Sequence, residues 1–160
     1  MPPVLKGFIA GCLLLLTAPA EPCRLPRAVM SRFDRELGSR YAYSMKVQPC
    51  YLTADFDGDG TMDTVVLIKE RKTGKSGIAI LNSSGREWRI LGAGRTFNGQ
   101  DNLDWMDRWS IYPRGPVEEG VQAGPPPKLK GTAILAEKSE SASGLIYWTG
   151  QKYAWYQQGD

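Results

Sequence analysis

The chain of 160 residues has a formal net charge of +3, with 42% hydrophobic and 23% charged side chains. Its positive side chains are scattered, so neither their number nor their distribution indicates a nucleic-acid-binding surface. The chain contains no histidine, which excludes Ser-His-Asp and Cys-His nucleophiles, histidine general bases and the usual catalytic zinc sites.

Residues 1–20 are predicted to be a signal peptide. Lys6 is followed by an apolar stretch at residues 7–17, and small residues at 18–20 precede the expected cleavage site. Alternatively, residues 9–12 resemble a lipobox that would lipidate Cys12, although a lipobox cysteine normally ends the apolar stretch and leucines follow here. The stretch is too short for a stable membrane span. We therefore expect an exported protein, periplasmic or secreted, with a single domain at residues 21–160.

Cys23 and Cys50 are the two cysteines that remain after the predicted cleavage. An even pair in an exported protein indicates a disulfide, which would stabilise the fold by roughly 3–4 kcal/mol through closure of the intervening loop. The alternative is a pair of reduced thiols buried apart from each other.

The remaining patterns, taken in chain order, predict an α+β fold. Residues 26–38 have the apolar spacing, first-turn proline and terminal glycine of one N-terminal α-helix. Strand patterns occur at residues 41–47, 50–53, 64–68, 78–81, 88–91 and 128–136, and residues 145–148 and 153–156 flank a Thr149-Gly150 turn. Residues 92–127 lack a regular pattern. Short turns and the lack of βαβ alternation predict a mostly antiparallel sheet, a meander ending in a C-terminal hairpin, with the helix packed beside it.

The loop with the sequence DFDGDGTMD, residues 55–63, has the spacing of a calcium site. Calcium takes six to eight oxygen ligands, and alternate side chains of a short coil can point at one ion. Glycine at the sixth position allows the sharp turn that such a loop requires. The predicted ligands are the carboxylates of Asp55, Asp57, Asp59 and Asp63, the last directly or through water, and the backbone carbonyl of Thr61. The alternative is an Asp-Gly turn with solvated carboxylates, and magnesium suits the loop less well because it keeps more of its waters.

This loop resembles the EF-hand loop for nine positions, but Val66 stands where an EF-hand has its bidentate glutamate. With a strand predicted on each side, the D-x-D-x-D-G-x-x-D stretch is similar to the calcium loops of FG-GAP and integrin-type blades. The Phe-Gly and Gly-Ala-Pro elements of those repeats are missing, and a single loop does not make a propeller. The order of this loop, GIAILNSSG and the aromatic hairpin is similar to a group of small exported bacterial proteins without an established activity. The resemblance implies the architecture and a calcium site.

Aromatic side chains suggest a possible contact with a partner. Trp105, Trp109 and Tyr112 lie in the least regular segment, where they could bind an unknown protein or glycan partner or could instead anchor the segment to the sheet. The aromatics of residues 147–156 could likewise form a carbohydrate platform or pack across the hairpin.

Taken together, the sequence favours a calcium-binding, disulfide-stabilised binding or structural module in which the ion has a structural role. The alternative is a histidine-free hydrolase of the glycosidase type, in which two of Asp101, Asp104 and Asp107 act as an acid/base pair. A carboxylate pair in an aromatic-lined cleft would favour the hydrolase.

Overall fold

The computed structural model describes residues 23–84, 87–120 and 124–159. The predicted signal peptide and Cys12 lie outside the described residues. The described part contains helix α1 (Arg27–Glu36) and strands β1 (Tyr41–Ser44), β2 (Tyr51–Ala54), β3 (Asp63–Glu70), β4 (Ser76–Asn82), β5 (Glu87–Gly92), β6 (Arg108–Tyr112), β7 (Ala133–Lys138), β8 (Ala142–Trp148) and β9 (Tyr153–Gly159). These elements confirm the predicted α+β class with antiparallel strands and one helix.

The first sheet contains β1 to β5, with β3 at its centre. β4 and β5 follow on one side of β3, while β1 and β2 both pair with its other side. β1 lies opposite the second half of β3 and β2 opposite the first half, with Ala54 across from Asp63. The predicted strand at 41–47 therefore ends at Ser44, and the chain leaves the sheet before it returns as β2.

β3 is buried on both of its faces, which explains its nearly continuous apolar sequence. Val65 and Leu67 belong to the core that the first sheet shares with the second, whereas Val66 and Ile68 pack in the core that includes Phe33 of α1. This division follows from the alternation of side chains along a strand. The helix therefore covers one face of the first sheet and the second sheet covers the other.

The second sheet is a meander of β6, β7, β8 and β9 in that order. The sequence patterns predicted one sheet, and the second sheet is a correction to that expectation. From the last residue of β5 onward the backbone takes positive φ angles at three successive residues, Gly92 (71°), Ala93 (49°) and Gly94 (85°). Left-handed residues cannot continue a strand, so the chain turns out of the first sheet and builds the second one across the core.

β6 lies within the segment that lacked a regular pattern. Trp109 is 3% exposed, whereas Ile111 on the same strand is 44% exposed. The two residues share one face of β6 because they stand two positions apart, and Ile111 is the more exposed of the two on this edge strand. The sequence does not reveal the strand because it has only five residues within a long segment without a regular pattern.

The predicted disulfide between Cys23 and Cys50 is confirmed, with a Cα–Cα distance of 6.0 Å. It joins the residues before α1 to the residue before β2, and the Tyr43 hydroxyl donates a hydrogen bond to the Cys50 carbonyl at 3.1 Å. No helix in the described ranges has the length and apolar character needed to cross a bilayer.

Candidate metal centre

The aspartate loop connects β2 to β3, the antiparallel pair in which Ala54 faces Asp63. Gly58 has a φ of 79°, and a Cβ at this position would lie 2.4 Å from the backbone oxygen of Lys130. Any other residue would therefore be strained in its backbone and would also collide with the segment that precedes β7. Glycine at position 58 is therefore required both by the turn of the loop and by its close contact with the segment before β7.

Three carboxylates of the loop come together. Asp55, Asp57 and Asp63 each place a carboxylate oxygen within 4.8 Å of the others. Two oxygens bound to one calcium ion can be separated by up to twice the calcium–oxygen distance, about 4.6–5.2 Å. Asp63 is fully buried, and Asp55 and Asp57 are half-buried. The cluster is compatible with a single cation, and the geometry by itself does not name the ion.

Asp55 organises the backbone of the loop. Its Oδ1 accepts hydrogen bonds from the Gly58 amide at 2.6 Å and the Asp59 amide at 3.1 Å. Its Oδ2 accepts one from the Gly60 amide at 3.0 Å. These amides wrap the chain around one carboxylate, and the side chain of Asp57 lies close to that of Asp55 in the resulting turn.

Asp63 is held from two sides at the start of β3. Its Oδ2 accepts from the Phe56 amide at 3.0 Å and its Oδ1 from the Ser83 amide at 2.9 Å. Burial nevertheless raises the pKa of Asp63, and it also raises the pKa of Asp57. None of the ion pairs among the described residues includes a carboxylate of this loop. The cluster therefore concentrates negative charge that no positive side chain in the described part of the chain balances by an ion pair.

Asp59 and Thr61 are arranged differently from the cluster. Asp59 is exposed, and its Oδ1 accepts from the Thr61 amide at 2.8 Å and the Thr61 hydroxyl at 2.6 Å. A hydrogen bond with the Ser84 side chain, followed by those from Thr61, lowers the pKa of Asp59. Among the described residues Asp59 is not part of the three-carboxylate group, and the roles of Asp59 and Thr61 as ligands stay predictions.

Asn82 is a residue of the site that the sequence patterns did not single out. Its amide nitrogen donates to Asp57 Oδ2 at 2.9 Å and lies 3.4 Å from Asp63 Oδ2. The pairing of β3 with β4 brings Asn82 to the site. Thr64 pairs with Leu81, so the next pair outward is Asp63 with Asn82. The end of β4 therefore lies beside the aspartate loop.

The second sheet also reaches the site. The Tyr153 hydroxyl of β9 lies 3.3 Å from the Asn82 amide nitrogen, and burial raises the pKa of Tyr153, which keeps the hydroxyl protonated. The Thr132 amide donates to the Asp55 carbonyl at 2.7 Å, just before β7. The aspartate loop is thus a junction where both sheets meet.

The three aromatics considered as a partner surface pack within the protein. Trp109 is buried, and its indole nitrogen donates to the Pro49 carbonyl at 2.6 Å. Trp105 is half-buried and meets Trp155 edge-on, with ring centroids 5.8 Å apart. Tyr112 is half-buried against the core on the far side of the second sheet. These contacts are those of residues that anchor a long segment.

The other acidic group, Asp101, Asp104 and Asp107, does not form a matched acid/base pair. Lys75 binds Asp101, Lys46 binds Asp104 at 3.0 Å, and Lys138 binds Asp107 at 3.0 Å. Hydrogen bonds from Lys46 and then Ser76 lower the pKa of Asp104. The Ser139 amide, followed by Lys138, lowers the pKa of Asp107 to about 2. A general acid of a glycosidase needs a raised pKa, so neither carboxyl is prepared for that role.

Comparison of the chain with protein-family models, curated proteins and solved structures finds no match. The function is therefore inferred from the geometry and chemistry of the loop.

Proposed function

We propose that this protein binds one calcium ion in the aspartate loop and is an exported binding or structural module. Asp55, Asp57 and Asp63 are the proposed carboxylate ligands. Asp59, after rotation of its side chain, and the Thr61 carbonyl complete the set that the loop spacing predicts. The ion has a structural role in this proposal.

The observation that carries the proposal is the convergence of three carboxylate oxygens within 4.8 Å, with none of the described ion pairs involving them. Carboxylates brought this close repel one another, and their burial adds a desolvation cost. A divalent cation removes both penalties at once. An ordinary Asp-Gly turn forms without three converging carboxylates.

Calcium is preferred over magnesium because of the ligands on offer. The loop supplies several protein oxygens from a flexible coil, and calcium accepts six to eight such ligands in variable geometry. Magnesium requires a near-octahedral shell and usually keeps several waters, so a site with many protein ligands suits it less. The similarity of the loop to FG-GAP calcium loops supports the same choice.

A structural role is supported by the position of the loop. Its backbone contacts the segment before β7 at Gly58 and at Thr132, and its carboxylates contact the end of β4 through Asn82. Fixing the loop therefore fixes the junction between the sheets. The Cys23–Cys50 disulfide is compatible with an oxidising compartment and supports export. The partner in this proposal is an unidentified protein or glycan.

The proposal is tested by direct titration of calcium into protein freed of metal with chelator. Isothermal titration calorimetry is expected to give one site per chain and a weaker response to magnesium at the same concentration. Asp57→Asn is expected to lower the calcium affinity at least tenfold because it removes a ligand charge at nearly constant shape. Asp34→Asn is the matched control, since Asp34 is an exposed aspartate on α1.

Equal affinities in the wild type and in Asp57→Asn would contradict the proposed site. Absence of calcium uptake by the wild type at millimolar concentration would reduce the loop to a solvated turn.

A further inference from the structure

We propose that Asn82 is itself a ligand to the cation, and that its side-chain amide turns over when the ion binds. This inference rests on the proposed cation site. Asn82 is 6% exposed, and its amide nitrogen faces the carboxylates of Asp57 and Asp63. Its Oδ1 is buried and has no hydrogen-bond partner among the residues that the structure describes. One end of the amide is therefore well satisfied and the other is not.

The orientation of the Asn82 amide in this structure follows from the carboxylates that it faces. Ionised carboxylates only accept hydrogen bonds, so the group that faces them must be a donor. The Asn82 nitrogen lies 2.9 Å from Asp57 Oδ2 and 3.4 Å from Asp63 Oδ2, and it places partial positive charge between two negative groups. In this orientation the amide offsets part of the repulsion between the two carboxylates.

A bound cation reverses this requirement. It competes with the amide protons for the same carboxylate lone pairs, and its charge repels the positive end of the amide dipole. A half-turn about the Cβ–Cγ bond exchanges the two ends of the amide. The oxygen that now lacks a partner would then face the ion, and asparagine carbonyls are regular calcium ligands. The ion would supply the partner that Oδ1 lacks in this structure.

Tyr153 allows the amide to turn without the loss of a contact between the sheets. Its hydroxyl lies 3.3 Å from the Asn82 nitrogen and accepts from it in this structure. A tyrosine hydroxyl can also donate, so after the turn it can donate to Asn82 Oδ1, which has a second lone pair free beside the ion. The hydrogen bond between Asn82 of β4 and Tyr153 of β9 would persist with its direction reversed. Binding of the ion would thereby change which of the two residues is the donor.

Calorimetric titration of calcium into the wild type and Asn82→Ala tests whether Asn82 is a ligand or only a hydrogen-bond donor. The two roles predict different changes in calcium affinity. A ligand role predicts that Asn82→Ala weakens calcium binding at least tenfold. A role as donor alone predicts unchanged or tighter binding, because a group that competes with the ion has been removed, and this result would overturn the inference. Tyr153→Phe is the control, with a change of less than about threefold expected because the hydroxyl is not a ligand.

A second measurement, on the wild type, does not depend on whether Asn82→Ala folds. The side-chain NH₂ signals of Asn82 in a ¹⁵N-labelled sample are assigned by their absence in the isosteric Asn82→Asp. Saturation with calcium should move these signals strongly, because the NH₂ group leaves the two carboxylates. If the signals stay in place while calorimetry shows calcium bound to the wild type, the amide does not turn and only this inference fails. If the wild type takes up no calcium, the proposed function fails with it.

Discussion

Two acidic segments of this chain, the aspartate loop at 55–63 and the segment 101–107, have similar composition and opposite electrostatic surroundings. In the first, three carboxylates lie within 4.8 Å of one another and none takes part in the ion pairs of the described residues. In the second, each aspartate has its own lysine, brought from a different part of the fold. The carboxylates of the first segment lie close to one another, whereas each carboxylate of the second lies beside a lysine.

Spacing explains the difference. Asp55 and Asp57 stand two residues apart in a tight coil, in which the backbone amides of Gly58, Asp59 and Gly60 wrap around Asp55. Asp63 joins them where the loop enters β3. Asp101, Asp104 and Asp107 stand three residues apart in a segment that turns at residues 104–105, and each meets a separate lysine. Acidic composition therefore does not distinguish the two segments, whereas the spacing of their aspartates and the ion pairs among the described residues do.

The largest expected effect concerns how the second segment is held. Trp109 follows Asp107 closely, lies buried in the core between the sheets and donates to the Pro49 carbonyl. Trp109→Ala should lower the free energy of unfolding by about 3–5 kcal/mol, as expected for loss of a fully buried tryptophan. Urea titration followed by circular dichroism measures it. Trp105→Ala should cost less because Trp105 is only half-buried; equal costs would mean that core burial does not anchor the segment.

An intermediate effect is expected from calcium itself. An ion at a hundred times its dissociation constant that binds only the folded state adds about 2.7 kcal/mol. For a domain of this size, that corresponds to a rise in melting temperature of about 5–10 °C. Differential scanning fluorimetry with calcium and with chelator measures the rise. Asp55→Asn should lose most of it.

Asp104→Asn tests whether the segment 101–107, unlike the aspartate loop, is independent of calcium. Asp104 is paired with Lys46, so its loss should leave the calcium-induced rise intact and cost at most about 1 kcal/mol of stability, as for an exposed ion pair. A calcium response that depends on Asp104 as strongly as on Asp55 would show that the two segments do not differ in the way proposed here.

The smallest effect should appear as a pH dependence at Asp107. Hydrogen bonds from the Ser139 amide and then Lys138 lower its pKa to about 2, compared with about 3.9 for an unfolded aspartate. A lowered pKa in the folded state contributes stability that is present above the unfolded pKa and is lost as pH falls through the folded one. The stability difference between wild type and Asp107→Asn should therefore be complete above about pH 5, shrink as pH falls and vanish near pH 1. Urea midpoints across this range measure it, and a difference that is as large at pH 1 as at pH 5 would exclude the carboxylate as its source.

Local patterns in the sequence determined much of this protein. The helix near residues 27–36, the strands on each side of the loop and the C-terminal hairpin were predictable because their periodicity reflects which face is buried. The Cys23–Cys50 bridge followed from the even pair of cysteines that remains after the predicted signal peptide. The convergence of Asp55, Asp57 and Asp63 was predictable because nearby residues in a short loop need no distant information.

Only the tertiary structure decided the features that join distant residues. The division into two sheets depends on a left-handed turn after β5, which includes Ala93, a residue that seldom adopts positive φ. The lysine partners of residues 101–107 come from positions 26 to 58 residues away. Asn82 and Tyr153 are 71 residues apart and meet beside the loop because two sheets pack there. Sequence spacing encodes contacts along one turn, whereas contacts between sheets arise from packing of the whole chain, and it is those contacts that complete the site.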